Sequence, residues 1–216
     1  MKNQTIDAKL LFAQNLIENG KNVESILSQM KDYGYDAKTI EEGRLLLIRA
    51  NDLQVRQKAE YGEQFAATDE LSLARANANK DYMKHVKLAR IALKDNRGAF
   101  EALQLNGERR QSMSGWVQQA KTFYANALDS EELQHLLSKF TITQQTLEAG
   151  SKAIAEVEQK LNKQLKEKGE AQSATLARDE AFDQLQEWTA QYIAIARIAL
   201  ENEPQLLEIL GLIEPS

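Results

Sequence analysis

The chain contains one pentapeptide, Ala-Arg-Ile-Ala-Leu, at residues 89–93 and again at residues 196–200, 107 positions later. The agreement extends along the chain without a gap, with about twenty identities over roughly 109 aligned positions. An ungapped match of this length favours a common origin over the chance similarity of two amphipathic helices. We therefore expect a tandem duplication, with copy 1 at residues 1–107 and copy 2 at residues 108–216. The short connection allows the copies to pack as one compact body.

The composition predicts that both copies are helical. Ala, Leu, Glu, Gln and Lys, which favour helices, are frequent, and the only prolines are Pro204 and Pro215. No segment alternates polar and apolar residues as a half-buried strand does. The sequence therefore predicts an all-α fold in which each copy resembles a four-helix bundle with short flanking helices.

Each copy is predicted to contain five helices, of which the first two are short. In copy 1, a helix from Asp7 to Asn19 ends at Gly20, and a second helix ends at Gly34. In copy 2, Asp129 or Ser130 is expected to cap the helix that matches the second one. The agreement of the two copies supports each of these assignments.

A long antiparallel hairpin is predicted from the third and fourth helices. The third helix runs from about Asp36 to about Phe65. Thr68, which is matched by Thr175, is then expected to cap the fourth helix, because acidic residues follow it and suit the helix dipole. A short fifth helix closes each copy, and Pro204 lies in its first turn in copy 2, where a missing N–H costs little.

This hairpin predicts which repeated residues face each other. A turn near residues 66–69 places Arg90 within about one turn of Glu41 and places Gly43 opposite Ala92. A glycine inside a helix costs roughly 1 kcal/mol relative to alanine, so its repetition indicates a close approach of two helices. The repeated residues are therefore expected to set the register of the hairpin rather than to bind a ligand. The predicted ion pairs are Arg90–Glu41 and Arg197–Glu148, and the glycines of close approach are Gly43 and Gly150.

The scarcity of reactive side chains limits the possible chemistry. The chain has no cysteine, which excludes disulfides, thiolate metal sites and cysteine nucleophiles, and its two histidines are His85 and His135. Glu132 precedes His135 at the Glu-x-x-His spacing that helical bundles use to bind metals. A di-iron site needs two such elements, so Glu132 and His135 are weak metal candidates. No catalytic residue and no cofactor are expected.

The charge balance bears on partners and location. The net charge is -5 and the pI is near 5.3, which disfavours a general nucleic-acid-binding protein. No stretch approaches the roughly 18 apolar residues of a membrane span, and the first residues lack the apolar segment of a signal peptide. We therefore expect a cytoplasmic protein that binds neither nucleic acid nor membranes. Arg109 and Arg110 lie in a stretch that we interpret as a helix junction rather than a phosphate-binding loop.

These observations favour a non-enzymatic protein-interaction or scaffold module, which binds a protein partner or associates with itself. The alternative is a ferritin-like bundle that binds a metal through carboxylates or holds a small ligand. Glu132 and His135 directed into a bundle with other carboxylates would favour this alternative. A third hypothesis is an enzyme built on the repeated Glu and Arg residues, which a buried polar pocket around Arg90 or Arg197 would favour.

Overall fold

The computed structural model describes residues 5–212, and every regular element within this range is an α-helix. The all-α prediction is therefore confirmed for this part of the chain. The helix bounds are α1 Ile6–Asn22, α2 Glu24–Lys31, α3 Ala37–Ala92, α4 Arg97–Ala102, α5 Met113–Asp129, α6 Glu131–Ser138, α7 Gln144–Ala199 and α8 Pro204–Ile209.

The last four helices follow the first four at a constant spacing. Each of α5 to α8 begins and ends 107 residues after its counterpart among α1 to α4. The left-handed backbone positions keep the same spacing. Gly34 has a φ of 88°, and Thr141 has a φ of 65°. Gln104 has a φ of 48°, and Gly211 has a φ of 74°. The matching turns therefore share one backbone conformation, although glycine occupies only one position of each pair.

Two predicted helix starts agree with the structure, whereas the predicted end of α1 at Gly20 does not. Ser130 caps α6, because its Oγ accepts a hydrogen bond from the Leu133 amide at 3.2 Å, and Pro204 opens α8. Gly20 does not end α1, which continues to Asn22. Gly20 is buried inside the helix, and the hydroxyl end of Tyr192 occupies the space that a Cβ would need.

The predicted hairpin is wrong, because α3 is one unbroken helix of 56 residues. Thr68 lies inside it, and its Oγ1 donates to the Gln64 carbonyl at 2.9 Å. Thr175 inside α7 donates in the same way to the Ala171 carbonyl at 2.9 Å. Inside a helix, a threonine hydroxyl can donate a hydrogen bond to the backbone carbonyl one turn earlier. A threonine whose sequence context resembles a helix cap can therefore lie in a helix interior. Within residues 5–212 each copy has four helices rather than five.

Spatial contacts divide the chain into two compact units whose boundaries lie inside the long helices. The terminal unit contains the described residues up to Tyr61 and from Glu170 onward, and the central unit contains Gly62–Gly169. Each unit therefore combines one part of α3 with one part of α7. The predicted division between residues 107 and 108 follows the sequence repeat, so it separates the copies and not these compact units.

Within each unit the long helices pack against each other. In the terminal unit, Trp188 of α7 covers Gly43 of α3. In the central unit, the Lys160 ammonium of α7 donates to a carboxylate oxygen of Glu70 in α3 at 2.8 Å, and this hydrogen bond lowers the pKa of Glu70. The long helix that packs on α3 is therefore α7, which belongs to the other copy.

Aromatic side chains form the centre of each unit. In the terminal unit, Tyr35 meets Tyr192 edge-on at 5.1 Å, and Trp188 stacks on Tyr192 at 5.3 Å between ring centroids. In the central unit, Tyr82 meets Phe123 edge-on at 5.6 Å. The tyrosines and Phe123 of these clusters are buried, whereas Trp188 is partly buried. The Tyr82 hydroxyl connects the central cluster to the pocket described next.

Candidate functional site

A pocket of about 750 Å³ lies in the central unit. Its walls are one face of α3, the segment between α4 and α5, and the start of α5. Four of its lining residues are arginines: Arg75, Arg90, Arg109 and Arg110. We call it the arginine pocket.

Helical spacing brings the α3 residues of the arginine pocket onto one face. Arg75, Asn79 and Met83 follow each other at intervals of four residues, and Arg90 follows seven residues later. Side chains at these intervals point to the same side of a helix. At a rise of 1.5 Å per residue, Arg75 and Arg90 lie about 22 Å apart along the helix axis. The arginine pocket is therefore elongated.

Arg90 forms hydrogen bonds with the beginning of the segment that connects α4 to α5. Its Nε donates to the Leu105 carbonyl at 2.9 Å, and its Nη2 donates to the Gly107 carbonyl at 2.7 Å. These acceptors are neutral, so they hold the guanidinium in place without cancelling its charge.

The predicted ion pair between Arg90 and Glu41 is wrong. Glu41 pairs instead with Arg44 at 2.6 Å and with Lys21 at 3.4 Å. The hydrogen bond from Arg44 is the main reason that the pKa of Glu41 falls to about 2. Because α3 does not turn, Glu41 and Arg90 lie 49 positions apart on one continuous helix, and the two side chains cannot meet.

The matching residues of copy 2 do not support the predicted pair either. Glu148 accepts a hydrogen bond at 2.9 Å from the side-chain amide of Gln144, which lies one helical turn away. Arg197 is exposed near the end of α7, and its environment includes no ion pair within the described range. The repeat of Arg and Glu therefore does not reflect a repeated salt bridge.

The repeated glycines do accommodate close neighbours, but these neighbours are aromatic rings rather than the predicted alanines. A Cβ on Gly43 would lie 2.5 Å from two ring atoms of Trp188. A Cβ on Gly150 would overlap the ring of Tyr124. The two copies thus use the same glycine position to seat aromatic residues from different helices.

Arg109 is held by the core of the central unit. Its Nη1 donates to the Tyr82 hydroxyl at 3.1 Å, and its Nη2 donates to the Gln104 carbonyl at 2.6 Å. Burial raises the pKa of Tyr82, and the neighbouring Arg109 opposes this increase. The Nε of Arg109 is buried and has no hydrogen-bond acceptor in the described structure.

Arg110 lies across the first turn of α5. Ser112 caps this helix, because its Oγ accepts a hydrogen bond from the Gly115 amide at 3.3 Å. A Cβ on Gly115 would lie 3.0 Å from the Cδ of Arg110, so the missing side chain leaves room for the arginine. Met113 and Ser114 are the first two residues of α5, and backbone amides at these positions have no acceptor inside a helix.

Arg75 and Trp116 form the wall between α3 and α5. The guanidinium carbon of Arg75 lies 5.5 Å from the ring centroid of Trp116, and its Nη2 donates to the Gln111 carbonyl at 3.4 Å. The indole N–H of Trp116 donates to the Asn79 side-chain oxygen at 3.0 Å. Trp116 is buried, so it supports Arg75 and does not offer a free ring face to a ligand.

The arginine pocket has an excess of positive charge. None of its four arginines forms an ion pair with a carboxylate within residues 5–212. Glu108 is the one carboxylate among the described lining residues, and it is exposed. Arginine stays protonated at physiological pH, so this excess persists although the chain as a whole carries a net charge of -5. The arrangement is suited to binding an anion.

The equivalent position of the terminal unit has similar contacts with the residue types exchanged. The Lys9 ammonium lies 5.4 Å from the ring centroid of Phe182. In the sequence repeat, Lys9 corresponds to Trp116 and Phe182 corresponds to Arg75, so the cation and the aromatic ring have exchanged positions. Lys9 also donates to the Gln186 side chain at 3.5 Å. The pocket here has a volume of about 330 Å³, and no arginine is among its described lining residues. The two units therefore have pockets at equivalent positions, but only the pocket of the central unit has arginines among its described lining residues.

The weak metal candidates lie elsewhere. Glu132 and His135 are exposed on α6, and neither belongs to a cluster of three metal-ligating side chains in the part of the chain that the structure describes. His85 is buried, and its Nδ1 lies 3.1 Å from the Tyr124 hydroxyl. Burial lowers the pKa of His85. These positions give no support to the ferritin-like alternative.

The arginine pocket is not predicted from the sequence. Arg109 and Arg110 lie in a stretch whose pattern is typical of a helix junction, and no motif distinguishes Arg75. Two signals were available: adjacent arginines in an acidic chain, and the spacing of Arg75, Asn79 and Met83 on one helix face. Arg109 and Arg110 line the same pocket as Arg75 only because the segment between α4 and α5 folds back onto α3. No local sequence pattern specifies this folding.

No protein-family model, curated protein or solved structure matches this chain. Among the helices between residues 5 and 212, none is both long enough and apolar enough to span a membrane. The function is therefore argued from the contacts of the arginine pocket.

Proposed function

We propose that this chain is a non-enzymatic protein-interaction module whose arginine pocket binds an acidic segment of a partner protein. The observation that carries the proposal is the presence of four guanidinium groups in one pocket without a carboxylate partner among the described residues. A hydrogen bond to a charged group contributes about 1.5–3 kcal/mol, and guanidinium can bind a carboxylate through two such bonds. An acidic segment would form these bonds without displacing an existing ion pair.

The shape of the arginine pocket favours an extended ligand. Its arginines are spread over about 22 Å of α3, so a single small anion cannot contact all of them. Met83 and Met113 line the space between the charged groups. Methionine side chains adapt to apolar groups of different shape, so an acidic segment that also carries an apolar residue has a complementary surface here.

The same contacts favour binding over catalysis. They therefore argue against the hypothesis of an enzyme built on the repeated Glu and Arg residues. The pocket does include Arg90, but the guanidinium is engaged by two backbone carbonyls. Acid–base catalysis needs a titratable group positioned against the substrate. Glu108 is exposed, and His85 contacts Tyr124 inside the core. The pocket thus offers cations for recognition and no positioned base.

We also propose that the chain arose by tandem duplication and that it resides in the cytoplasm. The constant spacing of the helix bounds and the exchanged cation–aromatic pairs support the duplication. The absence of cysteine suits a reducing compartment and supports the location.

Binding of short labelled peptides to the full chain, measured by fluorescence anisotropy at constant ionic strength, tests the proposed function. A glutamate-rich peptide with one leucine should bind, and its glutamine counterpart should not. Combining Arg75→Gln with Arg110→Gln should weaken binding at least about tenfold, because each lost charged hydrogen bond costs more than about 1.4 kcal/mol. Combining Arg49→Gln with Arg197→Gln removes the same two charges from exposed sites in the terminal unit and is the matched control.

Two results would contradict the proposed function. Equal binding of the glutamine peptide would show that charge does not drive recognition. Equal weakening by the control that combines Arg49→Gln with Arg197→Gln would show that the affinity reflects overall charge and not the arginine pocket. Circular dichroism of each variant establishes that the fold is retained.

A further inference from the structure

We infer that the end of the arginine pocket beside α5 is a phosphate subsite, which takes a phosphate monoester dianion carried by the bound ligand. This inference rests on the proposed function and specifies the chemistry of one part of the same site. The residues that form the subsite are Arg75, Arg110 and the first turn of α5.

The subsite combines donors from three parts of the central unit. Arg75 reaches in from α3 and packs on Trp116, which fixes its guanidinium. Arg110 comes from the connecting segment and crosses the first turn of α5 beside Gly115. The third group of donors is the pair of backbone amides at Met113 and Ser114, which the cap of Ser112 does not use.

Each of these groups favours an anion for a separate reason. Arg110 is exposed, and its side chain has no hydrogen bond or ion pair in the described structure, so its five donors are available. The start of α5, a helix of 17 residues, carries the positive end of the helix dipole. Backbone amides at such a terminus bind phosphate and other anions in many proteins. The arginines add formal charge to this arrangement.

The arrangement of donors distinguishes phosphate from carboxylate. A carboxylate has two oxygens in one plane, so it can satisfy one guanidinium fork or one helix terminus well. A phosphate monoester has three tetrahedral acceptor oxygens and a charge of about -1.5 to -2 at pH 7. Its three oxygens therefore provide one acceptor each for Arg75, Arg110 and the helix amides, which a carboxylate does not. Glu108 is the opposing charge in the pocket, and its exposure lets it remain solvated.

Anisotropy measurements with three matched peptides on the full chain test the inference. The peptides share one acidic sequence and differ at one central position, which is phosphoserine, glutamate or serine. Inorganic phosphate and succinate serve as competitors at constant ionic strength. The variants are Arg110→Gln and Arg75→Gln, with Arg49→Gln as the control, and thermal unfolding of each variant checks its fold.

The phosphoserine peptide should bind at least about tenfold more tightly than the glutamate peptide, because it gains one or more charged hydrogen bonds. Arg110→Gln should reduce this ratio to about one, while Arg49→Gln should leave it unchanged. Inorganic phosphate should compete better than succinate. If inorganic phosphate alone binds as tightly as the phosphoserine peptide, free phosphate is the source of the anion and the phosphate subsite is supported.

Three outcomes would overturn the inference. A ratio near one in the unaltered chain, with the glutamate peptide still bound, removes the phosphate subsite but leaves the proposed function in place. A ratio that survives both Arg110→Gln and Arg75→Gln places the phosphate elsewhere. Failure of every peptide to bind contradicts both the inference and the proposed function. If Arg75→Gln fails to fold, Arg110→Gln decides, because Arg110 is exposed and has no side-chain hydrogen bond.

Discussion

Two glycines of α3 are expected to respond in opposite ways to substitution by alanine. A Cβ on Gly43 would lie 2.5 Å from two ring atoms of Trp188, whereas a Cβ on Gly62 would meet nothing within 4 Å. Both positions lie inside the same helix, so alanine gains roughly 1 kcal/mol of helix propensity at each. The difference between the two variants therefore isolates the cost of the steric contact.

The magnitude follows from the surroundings of Trp188. Its indole is partly buried, stacks on Tyr192 at 5.3 Å and meets Tyr35 edge-on at 5.9 Å, so these two rings restrict its movement away from Gly43. Overpacking of a core typically costs about 1–3 kcal/mol, and a contact this short belongs at the upper end of that range. After the gain in propensity, Gly43→Ala should lower the free energy of unfolding by about 1–2 kcal/mol. Gly62→Ala should raise it by about 1 kcal/mol.

Urea unfolding followed by far-ultraviolet circular dichroism measures both effects. In a chain of this length, 1 kcal/mol corresponds to a change in Tm of about 2–4 °C, so thermal unfolding gives an independent value. The reasoning would be refuted if Gly43→Ala were as stabilising as Gly62→Ala. That result would mean that the contact with Trp188 does not constrain the helix.

Four further predictions concern single residues. Thr141→Gly should raise the free energy of unfolding by about 1 kcal/mol in urea titrations, because a β-branched residue is strained at a φ of 65°. Glu108→Gln should tighten binding of the glutamate-rich peptide in the anisotropy assay, because it removes the opposing charge of the pocket. Arg90→Gln should speed amide hydrogen exchange around Gly107 roughly tenfold, because the segment loses two hydrogen bonds. Burial lowers the pKa of His85 from 6.5, so the unfolded chain binds this proton more readily. The free energy of unfolding should therefore fall as the pH drops below about 6.5, and His85→Gln should reduce that dependence in urea titrations.

The sequence was informative about the helices and their ends. The scarcity of proline and the abundance of helix-forming residues predicted the all-α fold, which the structure confirms for residues 5–212. Ser130 and Pro204 mark helix starts through their own side chains, so these local features were readable without tertiary information.

The pairing of the long helices was not readable in the same way. Thr68 and the acidic residues after it resemble the start of a helix, but the hydroxyl bonds back to Gln64 inside α3. A repeated sequence presents the same apolar face in both copies, so a helix can pack on its own copy or on the other one with equal patterning. Whether a long helix packs on its own copy or on the other one depends on whether the chain turns near residues 66–69. Thr68 alone does not determine whether the chain turns there.

The arginine pocket shows a similar limit. Arg75 and Arg110 are 35 positions apart in the sequence and line one pocket only because the segment before α5 returns to the side of α3. That return depends on hydrogen bonds from Arg90 and Arg109 to backbone carbonyls, which have no sequence signature. The repeat did not help either, because the equivalent pocket of the terminal unit has no arginine among its described lining residues.

Nitrogen-15 chemical-shift mapping of the full chain during titration with the glutamate-rich peptide tests the central claim most directly. We predict that the largest shifts fall on residues 107–116 and on the pocket-facing part of α3 between Ser72 and Arg90. Combined replacement of Arg75 and Arg110 by glutamine should abolish these shifts. Saturable shifts confined to other residues, or shifts that persist in the doubly substituted chain, would contradict the assignment of the arginine pocket as the binding site.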